Sequence, residues 1–178
     1  GCDIFKSSSD RSSFSLCAPF KLLWIGRIDR NKALDLLFYA LQKIPNYQKK
    51  FELTVVGGGP LEAAMKKLAS QVCPELEIDW LGNIEHSLVG DVMAAHDLLV
   101  LTSVKEAACT VVMESLSQGL PVVCHDAFGM ANTVNDSCGW KIPYKSPSDS
   151  ISKLRDVLTD ISENPQSINQ KSVGALAR

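Results

Sequence analysis

Short apolar segments alternate with segments of helical periodicity along most of the chain. The apolar segments have the length and composition of buried strands and lie at 20–26, 51–56, 76–81, 97–103, 120–125 and 139–143. Helical spacing of apolar residues is found at 33–44, 61–72, 87–95, 110–118, 147–161 and 165–177. Strands that are apolar on both faces must be covered on both faces. The alternation therefore predicts an α/β fold, a Rossmann-like doubly wound parallel sheet with helices on both sides.

The length and charge of the chain exclude several classes of protein. It has 178 residues, of which 46% are hydrophobic, and a formal net charge of -2. This is the size of one domain, or of one half of a two-lobed enzyme. The charge excludes a globally basic nucleic-acid binder, and no apolar run reaches the roughly 18 residues of a membrane span. Residues 1–19 are polar and serine-rich and are predicted to be a linker, whereas 20–178 form the folded domain.

Cysteine and histidine positions indicate neither a disulfide framework nor a metal site. The 6 cysteines are irregularly spaced, and no two of them form a CxxC pair. Small secreted scaffolds are usually denser in cysteine, so we expect the reduced thiols of a cytosolic protein. His86, His96 and His125 show no pairing at ligand spacing. We therefore expect neither a metal nor a cofactor.

The turns after the first two strands are candidate binding elements, because ligands of such sheets bind at the carboxyl ends of the strands. Arg27 and Lys32 flank the first turn. A strand-to-helix turn directs N–H groups at an anion, and nearby cations strengthen the interaction; the alternative is a pair of solvated surface cations. The second turn, Gly57-Gly58-Gly59, does not fit the GxGxxG fingerprint. It favours a tight turn in which the backbone closely approaches a neighbour or a ligand.

Two glutamates follow the fourth strand. Glu106 lies in the loop before the next helix, and Glu114 lies about one turn inside that helix. The apolar residues around Glu114 are Val111, Val112, Met113 and Leu116. A carboxylate in an apolar setting needs a partner, and sugar hydroxyls are suitable ones. Taken alone, however, the two residues are better explained by support of the helix dipole and by an exposed helix face.

The order of these segments resembles the C-terminal, nucleotide-sugar-binding lobe of GT-B glycosyltransferases. Within that fold it is similar to the retaining glycosyltransferase family 4, the group 1 transferases. The matching segments are GRIDRNK (26–32), VVGGGPL (55–61), WLGNI (80–84) and LTSVKEAACTVVMESLSQGLPVV (101–123). The most specific part is Glu106-x7-Glu114 followed by GLPVV at 119–123. GCDIF at 1–5 is similar to the segment that leaves the N-terminal lobe, so the resemblance spans nearly the whole chain.

The resemblance implies that three residues act on the reacting part of the donor. Arg27 and Lys32 would neutralise the diphosphate of the leaving group, and Glu106 would contact the transferred sugar. Negative charge builds on the β-phosphate as the sugar–oxygen bond breaks, and fixed cations stabilise that charge. The chain has no Asp-x-Asp sequence, which holds a divalent metal in the other common solution. The reaction is therefore expected to work without metal.

The resemblance also implies a set of nucleotide-binding residues. Backbone amides of Thr110 and Val111 would hold a phosphate near the helix N-terminus. Glu114 would accept hydrogen bonds from the ribose hydroxyls. Gly82 and Asn83 lie where the pocket for the base begins.

The chain departs from the family's usual pattern at three places. Ala33 stands where the family usually has Gly after the lysine, and we expect this change to be neutral. The usual Glu-Gly-Phe-Gly is replaced by Glu-Ala-Ala-Cys at 106–109. The usual Gly-Gly-x-Pro-Glu corresponds to 128–132, with Asn132 in place of the Glu. The last two changes would line the sugar side of the cleft and leave the identity of the sugar open.

Together these features predict the donor-binding half of a retaining, metal-independent glycosyltransferase that uses a UDP or GDP sugar, in polysaccharide or glycolipid synthesis. The alternatives are a non-catalytic nucleotide-binding module and a nucleotide-sugar epimerase; the Glu-x7-Glu spacing favours a transferase. The acceptor would bind to an N-terminal lobe of the same protein, so the fragment alone should bind donor with little turnover. We expect a truncated last helix and no nucleic-acid partner. The protein would be cytoplasmic, with membrane contact only through the other lobe, peripherally at the cytosolic face.

Overall fold

The computed structural model describes residues 18–105 and 110–177, which form a six-stranded sheet. Its strands are β1 (Phe20–Ile25), β2 (Phe51–Val56), β3 (Glu77–Gly82), β4 (Leu98–Leu101), β5 (Val122–His125) and β6 (Gly139–Ile142). They are arranged in the order β3-β2-β1-β4-β5-β6, and all neighbours are parallel. The predicted doubly wound parallel sheet is confirmed. The order reverses between β1 and β4, and the carboxyl edge at such a reversal is the usual place for a ligand in open α/β sheets.

The helices lie in the connections between the strands and after β6. They are α1 (Asp35–Leu41), α2 (Tyr47–Lys50), α3 (Glu62–Val72), α4 (His86–Ala94), α5 (Thr110–Ser117), α6 (Phe128–Thr133), α7 (Pro147–Glu163) and α8 (Gln166–Leu176). The sequence predicts all of these except α2 and α6. Those two helices span only 4 and 6 residues, too few for apolar residues to recur at helical spacing.

Hydrophobic clusters cover both faces of the sheet. Leu22 and Trp24 of β1 belong to one cluster, beneath α1 and α7, whereas Leu23 belongs to the other, beneath α5. Each of these three side chains is 1% exposed or less. β3 differs because it is an edge strand: Glu77 and Asp79 on it are exposed. The central strands therefore have the two-sided burial that their apolar sequences predict.

Local sequence signals set several helix ends. Pro147 occupies the first turn of α7, where a missing N–H costs nothing, and the hydroxyl of Ser146 accepts a hydrogen bond from the Asp149 amide at 3.2 Å. α5 is followed by Gly119, whose φ of +67° suits the left-handed residue that ends many helices.

Cys73 and Cys138 are buried free thiols. None of the helices in the described ranges is long and apolar enough to cross a bilayer.

Candidate functional site

Backbone hydrogen bonds join the turns that follow β1, β2 and β3. The Ile28 amide donates to the Gly58 carbonyl at 3.0 Å. The Gly57 amide donates to the Gly82 carbonyl at 2.7 Å. The three turns therefore form one continuous backbone surface at the carboxyl edge of the sheet, where the sequence predicts a binding site.

Two glycines of the second turn allow this close approach. Gly57 has a φ of +116°, and a Cβ placed on it would lie 2.0 Å from the carbonyl oxygen of Gly26. A Cβ on Gly59 would lie 2.4 Å from the carbonyl oxygen of Ile28. Both contacts are with backbone atoms of the turn after β1. The predicted tight turn is thus confirmed, and the partner of these two glycines is a neighbouring turn of the protein.

A cleft of about 370 Å³ opens beside this surface. It is lined by Arg27 and Asn83, by glycines 26, 57 and 58, and by the apolar residues Ile25, Val56, Ile84 and Val89. The volume is within the usual range for small-molecule sites, and the lining combines apolar walls with a few polar groups. The structure therefore places Arg27 and Asn83, which the resemblance assigns to opposite ends of a nucleotide, on the same cleft.

Asp29 organises the turn that carries the two predicted cations. Its Oδ1 accepts hydrogen bonds from the amides of Asn31 at 2.9 Å and Lys32 at 3.1 Å. Its Oδ2 lies 3.7 Å from Nε of Arg27, whose side chain is 72% exposed. The half-buried Lys32 side chain passes over Gly26. The sequence analysis did not predict this role of Asp29. Asp is, however, one of the residues whose side chain commonly accepts a hydrogen bond from the backbone two residues later, in an Asx turn.

The turn after β1 is bonded to the loop after β4. The Thr102 hydroxyl donates to the Lys32 carbonyl at 2.7 Å and accepts from Nε1 of Trp24 at 3.1 Å. The Val104 amide donates to the Asn31 carbonyl at 2.8 Å. These bonds connect the cationic turn to the segment that leads into α5, across the point where the strand order reverses.

The amino end of α5 lies on the same edge, after β4. Thr110 is its first residue and is exposed, and Val111 is half-buried. N–H groups in the first turn of a helix lack acceptors within the helix, so they point toward any anion bound there. Glu106, predicted to contact the sugar, lies outside the described residues, as do residues 107–109.

Glu114 is half-exposed, which fits the predicted alternative of an exposed helix face and not an apolar setting. Its side chain is 40% exposed, and its Oε1 lies 3.9 Å from Nε2 of His86, at the start of α4. Met113 beside it is 64% exposed. Val112 and Leu116 are buried because they lie on the inner side of α5, away from Glu114. The carboxylate is therefore open to a ligand, and it needs no buried partner.

Ala33 has a φ of +45°, in the left-handed region that favours glycine. The alanine is strained in this conformation because it is an L-residue with a Cβ. That the change is neutral for function stays a prediction. The other departure in the described part, Asn132, is exposed on α6.

Potential metal ligands are dispersed. Within residues 18–105 and 110–177, no three His, Cys, Asp or Glu side chains lie close enough together to hold a metal ion.

The sheet order and the joined turns at its carboxyl edge define a class of protein, the Rossmann-like α/β domains. Residues 9–172 match the sequence model of the glycosyl transferases group 1. The chain therefore belongs to this family.

Individual relatives are distant and longer. The chain is 28% identical to sulfoquinovosyl transferase SQD2 of Arabidopsis thaliana over 162 residues, which cover 88% of the chain and 30% of that protein. It is 26% identical to the gpi3 subunit of phosphatidylinositol N-acetylglucosaminyltransferase of Schizosaccharomyces pombe over 136 residues, or 76% of the chain and 30% of the relative. The chain thus spans about 30% of the length of these curated relatives.

Solved structures show the same fold. The pneumococcal O-GlcNAc transferase GtfA, in complex with UDP and GlcNAc, superposes with a TM-score of 0.80 at 17% identity, over 90% of this chain and 32% of that one. Anabaena Alr3699/HepE in complex with UDP-glucose has a TM-score of 0.76 at 21% identity, over 89% of this chain and 43% of that one. The predicted GT-B lobe is confirmed.

Proposed function

We propose that this chain binds a nucleoside diphosphate sugar at the carboxyl edge of its sheet, as the donor-binding half of a retaining glycosyltransferase. The observation that carries the proposal is the bonding of the cationic turn after β1 to the loop that enters α5. Because of it, the turn that carries Arg27 and Lys32 lies against residues 102–104, and α5 begins farther along the chain on the same edge of the sheet. Each of these elements favours negative charge, so a diphosphate is the ligand that uses all of them.

The chemical contribution of this half is electrostatic. As the bond between the sugar and the diphosphate breaks, negative charge builds on the departing β-phosphate. The guanidinium of Arg27, the ammonium of Lys32 and the first-turn amides of α5 would stabilise that charge electrostatically. These groups supply enough positive charge to make a divalent metal unnecessary, which is a proposal that a chelator can test.

The nucleoside extends from the phosphates along the same edge. Glu114 lies on the exposed side of α5, so it is open to ribose hydroxyls. Gly82 ends β3 and Asn83 follows it, and Asn83 lines the cleft that Arg27 also lines. The apolar walls of that cleft suit the faces of a base, with Asn83 as a hydrogen-bonding group.

The transferred sugar is assigned from the family pattern. Glu106 would face its hydroxyls, and residues 107–109 would shape the floor beneath them. Alanine and cysteine in place of glycine add Cβ atoms, so the sugar preference should differ from that of typical members. Glu106→Ala and restoration of Gly-Phe-Gly at 107–109 should change the binding of nucleotide sugars more than that of UDP alone. If the binding of nucleotide sugars and of UDP alone changes equally, this segment does not contact the sugar.

The acceptor is proposed to bind elsewhere in the whole protein, on a lobe preceding these residues. The relatives are named as transferases for sulfoquinovosyl and N-acetylglucosaminyl groups, and one is named for phosphatidylinositol. By analogy, we propose glycolipid or polysaccharide synthesis with a UDP or GDP sugar, by a cytoplasmic protein that contacts a membrane through its other lobe.

Calorimetry on the intact protein tests the phosphate assignment. Arg27→Ala and Lys32→Ala should each weaken UDP or GDP binding about tenfold or more, since hydrogen bonds to charged groups contribute about 1.5–3 kcal/mol. Binding of the nucleoside without phosphates should not change. Arg30→Ala is the matched control, because Arg30 is an exposed cation of the same turn with no assigned role. If all three variants lose affinity equally, the effect is general charge and the assignment is wrong.

Two further measurements separate the alternatives. Diphosphate binding that survives excess EDTA supports the metal-free site, whereas a strict need for Mg²⁺ or Mn²⁺ contradicts it. Transfer or slow hydrolysis of a UDP or GDP sugar by the intact protein distinguishes an enzyme from a binding module. Failure to bind either nucleotide would reject the proposed function.

A further inference from the structure

His125 makes a polar link that the proposed function does not use. It is the last residue of β5, is 1% exposed, and lies between the loop after β4 and helix α7. Its Nδ1 lies 2.9 Å from the Ser103 carbonyl oxygen, and its Nε2 is hydrogen-bonded to the hydroxyl of Ser150. Ser150 is also 1% exposed. The ring thus connects two elements that are distant in sequence.

The chemistry of its partners settles which ring nitrogen carries the proton. A carbonyl can only accept a hydrogen bond, so Nδ1 must donate to Ser103. Burial lowers the pKa of His125, which keeps the ring neutral at neutral pH. Nε2 then accepts from the Ser150 hydroxyl. The Tyr144 ring packs edge-on against the imidazole, with 5.0 Å between the ring centroids. The ring therefore has one orientation, fixed by two hydrogen bonds and an aromatic contact.

The bond to Ser103 is one of several hydrogen bonds that hold the loop after β4. Thr102 is bonded to Trp24 and to the Lys32 carbonyl, and the Val104 amide is bonded to the Asn31 carbonyl. Between them, the buried Ser103 hydroxyl makes no hydrogen bond among the described residues. The carbonyl bond from His125 is therefore the polar contact that holds Ser103 from the β5 side.

We propose that His125 is a positioning residue of the donor site. Through the Ser103 carbonyl, it holds the loop after β4 against the turn after β1 that carries Arg27 and Lys32. Without the bond, Ser103 is free to shift, and Val104 moves away from the Asn31 carbonyl. The relevance to donor binding rests on the proposed function, whereas the effect on the loop does not.

Two substitutions by amide side chains separate the two bonds of the ring. The side-chain amide of Asn is short and places its nitrogen near the position of Nδ1, whereas the longer Gln places its nitrogen near Nε2. His125→Asn should therefore keep the bond to Ser103, and His125→Gln should keep the contact with Ser150 only. Both variants remove the same ring from the core, so each controls for the packing loss of the other. Ser150→Ala removes the Nε2 partner and leaves the bond to Ser103 in place.

The first readout is hydrogen exchange of the Val104 amide in the intact protein without ligand. We expect it to exchange about tenfold faster in His125→Gln than in His125→Asn, because only the Gln variant releases Ser103. The second readout is UDP affinity, which should fall about threefold to tenfold in His125→Gln relative to His125→Asn, the usual range for one hydrogen bond. Ser150→Ala should behave like His125→Asn in both.

The outcomes separate this proposal from the proposed function. Equal Val104 exchange in the Asn and Gln variants would overturn the positioning role, whatever the nucleotide affinity. If Val104 exchange differs between the two variants but their UDP affinities are equal, His125 positions the loop without affecting donor binding, and its role in the donor site is overturned. If the unsubstituted protein fails to bind UDP and GDP, the proposed function fails, and Val104 exchange alone decides the positioning of the loop.

Discussion

Replacing Gly57 with alanine should strongly destabilise the protein, because two independent constraints act at this position. The backbone has a φ of +116°, a conformation that L-residues rarely adopt. The new Cβ would lie 2.0 Å from the carbonyl oxygen of Gly26 and 2.9 Å from its carbonyl carbon. Both atoms belong to the backbone, so no side chain can rotate away, and the turn after β1 must move.

The expected magnitude is the sum of the two effects. Strain at positive φ costs an L-residue about 1–2 kcal/mol, and forcing extra atoms into a packed region costs about 1–3 kcal/mol. Gly57→Ala should therefore lower the free energy of unfolding by about 2–5 kcal/mol. Because the turn that moves also carries Arg27, UDP affinity should fall in the molecules that remain folded.

Two neighbouring glycines make the test specific. Gly82 has a φ of +64°, and nothing lies within 4 Å of a Cβ placed on it, so Gly82→Ala should cost the strain alone, about 1–2 kcal/mol. Gly58 does not have a positive φ, and the nearest atom to its Cβ is Nδ2 of Asn83 at 3.3 Å, in a side chain that can shift. Gly58→Ala should change stability by no more than about 0.5 kcal/mol.

Urea unfolding of the three variants, followed by circular dichroism, gives the required free energies. The expected order of destabilisation is Gly57→Ala, then Gly82→Ala, then Gly58→Ala. If Gly57→Ala costs no more than Gly82→Ala, the backbone contact with Gly26 contributes nothing, and the close packing of the two turns is refuted.

Three further predictions concern separate features. Ala33→Gly should raise the free energy of unfolding by about 0.5–1 kcal/mol, because it relieves the strain at the φ of +45°. The control Ala95→Gly, at a φ of -84°, should not stabilise the protein. Equal changes of both variants in urea unfolding would contradict this prediction. Glu114→Gln should weaken UDP or GDP binding about tenfold in calorimetry with an unchanged circular dichroism spectrum, and normal binding would leave Glu114 a surface residue. Burial lowers the pKa of His96 and His125, so the unfolded chain takes up protons that the folded protein does not. The free energy of unfolding should therefore be independent of these histidines above pH about 6.5 and fall below that pH by up to about 1.4 kcal/mol per pH unit for each of them. Equal unfolding free energies at pH 7.5 and 5.5 would refute this.

Much of the fold follows from local patterns in the sequence. The apolar residues at helical spacing around α1, namely Leu34, Leu37, Leu41 and Ile44, are all buried at 2% exposure or less. The two-sided burial of β1 follows from its continuous apolar run, because each consecutive side chain must reach one hydrophobic cluster or the other. The family pattern predicted the GT-B lobe, which the family match and the solved structures of the same fold confirm.

The site was only partly predictable. The carboxyl-edge location of Arg27, Lys32 and Thr110 follows from the alternation of strands and helices, since each residue follows a predicted strand. The environment of Glu114 does not follow from its neighbours in sequence, because adjacent residues of a helix point to different sides. Val112 is buried while Met113 is exposed, although both are apolar.

By itself, the sequence determined the elements and the turns on which a ligand would bind, because periodicity and turn composition act over a few residues. Only the tertiary structure decided which turns touch. The contact of Gly57 with Gly26 and the bond from His125 to Ser103, 22 residues away, both depend on which strands are neighbours. Strand order is selected by packing of the whole core and by crossover connections, so no local pattern encodes it. The sequence places His125 at the end of a predicted strand, but its position beside Ser103 arises only when β5 pairs with β4.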